Sequence, residues 1–91
     1  MSPFLTILGL YYLCDQTAIQ RPLAAHEVAT CMANYEQLKL EFVDDELAQV
    51  GTPARAAQVR QGYARFKAWE AENPATVRAM RQTARAQMSQ G

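Results

Sequence analysis

The sequence has no excess charge of either sign: nine Lys and Arg balance nine Asp and Glu over 91 residues, with a single histidine. A neutral chain has no field strong enough to gather nucleic acid by charge alone. Glycine and proline are scarce at four each, and β-branched side chains are sparse, which disfavours collagen-like, low-complexity and sheet-rich classes. The longest apolar run, Phe4 to Cys14, has eleven residues, well short of the roughly 20 a helix needs to cross a bilayer. Chemical motifs are missing too. There is no glycine-rich phosphate loop, no GxSxG, no HExxH and no CxxC. We therefore expect no enzymatic activity and assign no catalytic residue, metal site or cofactor.

What is present in quantity is helix-forming: Ala, Gln, Glu, Arg and Leu dominate a chain that is 49% hydrophobic. A chain of this length builds one modest core and buries only about 60 to 65% of its unfolded surface. No repeat or change of composition divides it, so the expectation is one all-α domain over residues 1–91, a small bundle of about four helices.

Helix boundaries are signalled by caps and prolines. Ser2 and Pro3 open the first segment as cap and first helical residue. Its apolar residues run all round until Asp15 and Gln16, so it must be covered on every side, either inside the bundle or by a second copy. Arg21-Pro22 separates it from a second helix over about Ala24 to Phe42, whose Val28, Cys31, Met32, Tyr35, Leu38 and Phe42 recur at helical steps and form the expected buried face. VDDELAQVG, ending at Gly51, reads as an acidic connector with room for one short helical turn. Thr52-Pro53 caps a third helix to about Glu72, with Ala56, Val59, Tyr63, Phe66 and Trp69 on its expected apolar face. Asn73-Pro74 then turns a sharp corner into a last helix, where Val77, Met80, Ala84 and Met88 make a thin stripe.

Most reactive side chains read as structural. His26 lies away from the Val28/Tyr35 face and has no implied partner. Cys14, His26 and Cys31 lack the spacing of a closed zinc site. Cys31 reads as a core position, and with Cys14 it fits either two thiols in a reducing compartment or one disulfide between the first two helices; both readings stay open. Asp44-Asp45-Glu46 lacks the alternating donors and central glycine of a calcium loop and reads as solvated surface. Tyr63, Phe66 and Trp69 could stack on bases, but their helical spacing points to core. Glu70, beside them, is expected to bond an arginine or a tyrosine.

Charge is unevenly distributed. Residues 1–53 hold two basic against seven acidic groups, a net −5, and residues 54–91 hold seven basic against two acidic, a net +5. Within the basic half Arg78, Arg81 and Arg85 fall three and four residues apart on one stripe of the last helix, where like charges repel unless an anionic surface lies opposite. That surface is either the chain's own acidic half or a partner. The expected function is a non-catalytic protein-interaction module, an inhibitor or accessory protein acting by occupancy, with Arg78, Arg81 and Arg85 as its partner-binding residues and self-association as a dimer through the apolar first helix. A weak nucleic-acid binder using the same arginines, or a small exported protein with a Cys14–Cys31 bridge, are the alternatives. With no Lys or Arg before the apolar N-terminus, that segment reads as a core helix rather than an export signal. The expected location is cytoplasmic, the alternative periplasmic or secreted.

Overall fold

The computed structural model describes residues 3–90, which form four helices: α1 (Pro3–Gln20), α2 (Ala25–Leu40), α3 (Pro53–Glu72) and α4 (Pro74–Gln90). No strand occurs among the described residues. Ser2, the expected cap of α1, lies outside them. The fold is an all-α bundle, as the propensities require, but two helices end elsewhere than their polar and apolar residues indicate. α1 runs on past Asp15 and Gln16 because its neighbours satisfy the polar groups there: Gln16 is buried and accepts from Arg85 Nη1 at 2.9 Å, and Thr17 Oγ1 donates to the Leu13 carbonyl at 2.6 Å. α2 stops at Leu40, two residues early, as Phe42 and Val43 tighten into three-residue hydrogen bonds to Lys39 and Leu40.

The connector between α2 and α3 contains turns only, yet its backbone is anchored by α3. Arg65 Nη1 donates to the Phe42 carbonyl, Arg55 Nη1 to that of Ala48, and Gln58 bonds both the Glu46 carbonyl and the Ala48 amide, each at 2.9 Å. Gly51, at φ 87°, supplies the left-handed residue that returns the chain to α3. Thr52 caps α3 by accepting from the Arg55 amide at 3.2 Å. Asn73 alone separates α3 from α4.

The helices do not alternate up and down. α1 and α2 are antiparallel, joined by the Cys14–Cys31 disulfide (Cα atoms 6.0 Å apart) and by Asn34 Nδ2 donating to the Ile7 carbonyl at 2.9 Å. α4 runs parallel to α1, since Gly9 lies by Met80, Tyr12 by Arg81 and Gln16 by Arg85. The first helix is thus central, flanked by α2 and α4 and joined to α3 by long side chains. α3 meets α2 where Gly62 lies against the Lys39 carbonyl, then reaches α1 through Phe66 beside Tyr11 and Glu70 beside Tyr12.

Leu8, Tyr12, Leu38, Phe66, Val77 and Ala84 form the buried core, and Phe4, Tyr11, Tyr35, Phe42 and Trp69 pack around it. Two expected core faces need correction. Val28 and Met32 are 40% and 65% exposed, because α3 meets α2 only near its C-terminal end. On α3 the inward line is Val59, Gly62, Phe66 and Trp69, so Tyr63 points outward and is 47% exposed while Ala56 is also exposed. A small residue where the backbones touch rotates the face by one position.

Candidate functional site

The parallel packing of α4 on α1 fixes where its arginines stand. Val77, Met80, Ala84 and Met88 turn toward the bundle, as expected, and the guanidinium groups emerge beside them. No acidic residue occurs in α4. Arg81 lies over the ring of Tyr12, 5.9 Å from its centroid, and Arg85 donates to Gln16 Oε1 at 2.9 Å. Arg78 has no hydrogen-bond or ion-pair partner among the described residues. Arg78 and Arg81 join Lys67, Glu70, Ala71, Pro74 and Val77 around a shallow cleft of about 380 Å³ at the α3–α4 corner.

The one carboxylate in that cleft is already committed. Glu70 accepts from the Tyr12 hydroxyl on Oε2 and from Lys67 Nζ on Oε1, both at 2.7 Å, so the expected tyrosine bond is present and a lysine takes the remaining oxygen. The hydrogen bond to Glu70 raises the pKa of Lys67. Burial, with the neighbouring Glu70 charge, pushes Tyr11 up to about 12, and burial together with the Glu70 hydrogen bond raises Tyr12. Both phenols are therefore neutral near pH 7, and that of Tyr12 is a hydrogen-bond donor to Glu70.

The acidic half of the chain does not neutralise the stripe. Its ion pairs are Glu27 with Arg21, Glu36 with Lys39 and Asp44 with Arg65, and among the described residues none involves Arg78, Arg81 or Arg85. The three arginines thus share one face with each other and with neutral groups of α1.

A second concavity, of about 830 Å³, opens on the α1 face turned away from Leu8 and Tyr12. Leu10, Leu13, Met88 and the Cys14–Cys31 bridge line it, with Arg21, Glu27 and His26 at its rim. The Arg21–Glu27 pair is bidentate, at 2.9 and 2.7 Å, and its hydrogen bonds hold the Glu27 carboxyl down at about 2. Glu27 also accepts the Ala24 amide at 2.8 Å, so this pair closes the loop into α2. His26 is exposed, and its ring bonds no side chain among the described residues.

The two cysteines are half-buried and bonded to each other, which replaces the buried thiol expected at Cys31. Among the described residues no three His, Cys, Asp or Glu side chains gather to hold a metal ion, and no helix is long and apolar enough to cross a membrane. Sequence reasoning located the arginine stripe but missed Lys67 as its neighbour. The signal for Lys67 lay in the Asn73-Pro74 corner, which brings the last turns of α3 beside the first turns of α4. No protein-family model, curated protein or solved structure matches the chain.

Proposed function

We propose that this chain is a non-catalytic interaction module whose docking face is Arg78, Arg81 and Arg85 with the adjoining cleft, and whose partner presents protein carboxylates. One observation carries the reading: three guanidinium groups share a face with no carboxylate partner in a molecule that contains as many acids as bases. Clustering like charge opposes folding by a few tenths of a kcal/mol per pair, so the core does not require it. A partner's carboxylates would relieve the repulsion and use guanidinium donors that are free.

Nucleic acid fits less well. From Arg78 to Arg85 the helix rises only about 10 Å, room for about three phosphates of a strand, where strongly salt-dependent binders make roughly six to ten such contacts. The Cys14–Cys31 bridge supports a working place in an oxidising compartment, periplasmic or extracellular, over the cytoplasm. Thiol counting on protein taken directly from its native source tests that part.

Docking is tested with a labelled oligoglutamate peptide and a single-stranded oligonucleotide of equal charge, titrated against the wild type and against R78E/R81E/R85E. The reading expects the peptide to bind more tightly than the oligonucleotide, and the triple variant to lose the peptide while still folding. Unchanged peptide binding by the triple variant would remove the arginine face from the function.

A further inference from the structure

We infer that the occupant of the arginine face is a second copy of this chain, presenting its acidic connector; the inference rests on the reading of Arg78, Arg81 and Arg85 as a docking face. The cleft beside α4 combines three cations, Lys67, Arg78 and Arg81, with apolar walls from Ala71, Pro74 and Val77. Its one carboxylate, Glu70, is taken up by Lys67 and the Tyr12 hydroxyl, which leaves the two arginines unpaired. The connector carries the matching chemistry. Asp45 and Glu46 have no side-chain partner among the described residues, and Asp44 reaches only Arg65, at 3.3 Å, with 91% of its side chain exposed. Leu47 follows at once and is 45% exposed, and Val50 is 77% exposed. Three carboxylates followed by an uncovered leucine suit a cleft with guanidinium groups on one side and proline and alanine on the other.

The segment is also held in shape. Gln58, Arg55 and Arg65 fix the carbonyls of Glu46, Ala48 and Phe42, so docking orders little backbone that is not already ordered. The two surfaces are kept apart within one molecule. Glu46 is bound at Gln58, about 20 Å of helix before Ala71 of the cleft, and Asp44 is bound at Arg65, which at two residues from Lys67 projects from the opposite side of α3. Carboxylates and arginines that cannot meet within a copy can meet between copies. Each copy carries both halves of the contact, so the association either is reciprocal and closes as a two-fold dimer, or runs head to tail into a ring or a chain.

Sedimentation velocity of the full chain, at low and at high salt, tests this. The wild type is expected to associate at low salt, with affinity falling about tenfold or more at high salt as screening shortens the reach of the charges. D44K/D45K/E46K and R78E/R81E/R85E, each confirmed as folded by circular dichroism, should each be monomeric alone and associate when mixed. If the triple arginine variant fails to fold, R78E replaces it, because no described side chain depends on Arg78. A wild type that stays monomeric at low salt, or reversal variants that associate as the wild type does, overturn the inference. The oligoglutamate titration separates the two readings: binding of the peptide by a monomeric wild type leaves the docking face standing and removes the second copy, whereas no binding and no association remove both.

Discussion

The same substitution, glycine to alanine inside a helix, should have opposite effects at two positions of this fold. In an exposed helix the change stabilises by about 0.5 to 1 kcal/mol, because glycine loses more backbone freedom on folding. At Gly9 of α1 that gain should be realised, since a new Cβ meets only the Met80 methyl, at 3.9 Å. At Gly62 of α3 the new Cβ would collide with the Lys39 carbonyl oxygen and lie 2.7 Å from its carbon and 3.3 Å from its Cα. Backbone cannot swing aside as a side-chain end can, so α2 and α3 must separate by about 1 Å, a cost in the range of 1 to 3 kcal/mol or more for an overpacked site. That separation also strains the Phe42–Phe66 contact, at 5.7 Å between centroids, and the Arg65 bond to the Phe42 carbonyl. After the propensity gain is deducted, G62A is expected to lose about 0.5 to 2 kcal/mol, or roughly 2 to 16 °C in Tm for a domain of this size. G9A should melt slightly above the wild type. Thermal unfolding followed by circular dichroism measures both. If G62A melts at or above the wild type, the close approach of α2 and α3 is wrong, and with it the placement of α3 on the bundle.

Two further outcomes follow from burial and charge. Phe66 is fully buried and Tyr63 is 47% exposed, so F66A should cost about 3 to 5 kcal/mol and Y63A under about 1.5 by urea unfolding; equal losses would restore Tyr63 to the core. Tyr11 and Tyr12 have raised pKa values in the folded state, so the stability they confer is fully present below the unfolded value near 10 and is lost as pH rises through about 12 for Tyr11. Ultraviolet titration of the phenols should therefore show these two ionising late, together with unfolding, and Y12F should remove part of the alkaline destabilisation; early ionisation of all the tyrosines would contradict the burial of this pair.

How far the sequence could be read depended on whether a feature was local. Caps and prolines act on adjacent residues, and Thr52-Pro53 and Asn73-Pro74 mark the starts of α3 and α4 where the structure has them. The α4 stripe was legible because that helix lies along α1 with a single inward line. The α2 and α3 faces were less so. Periodicity marks a face but not how much of its length a crossing neighbour covers, and α3 leaves Val28 and Met32 uncovered. Gly62 was the available clue: a glycine within an alanine-rich helical run often marks a close backbone approach. Gln16 misled in the opposite direction, since its partner Arg85 lies 69 residues away and nothing local reveals it. The arginine stripe was visible as spacing, but that none of its arginines is ion-paired among the described residues depends on the parallel course of α1 and α4 and on the commitment of Glu70 to Lys67 and Tyr12.

The disulfide offers the sharpest test of how stability is distributed. Within α2 the buried residues are Leu38 and Leu40, both at its C-terminal end, so the stretch from Ala25 to Gln37 is held without a fully buried side chain. Its ties are the Cys14–Cys31 bridge, the Asn34 bond to the Ile7 carbonyl, the half-buried Tyr35 ring against Tyr11, and the Arg21–Glu27 pair, which is exposed and solvent-screened. The bridge, between cysteines 17 residues apart, is worth about 3 kcal/mol through restriction of the unfolded chain. Losing the restriction of the unfolded chain would by itself lower the protection of every globally exchanging amide by the same amount. Loss of a tether adds a local term, because the first turns of α2 can then leave α1 while the aromatic cluster around Phe66 stays intact. C14A/C31A should thus melt well below the wild type and, under native conditions, exchange fastest in the N-terminal half of α2. A uniform fall in protection across all four helices would mean that buried packing, rather than the bridge, holds that half of α2 in place.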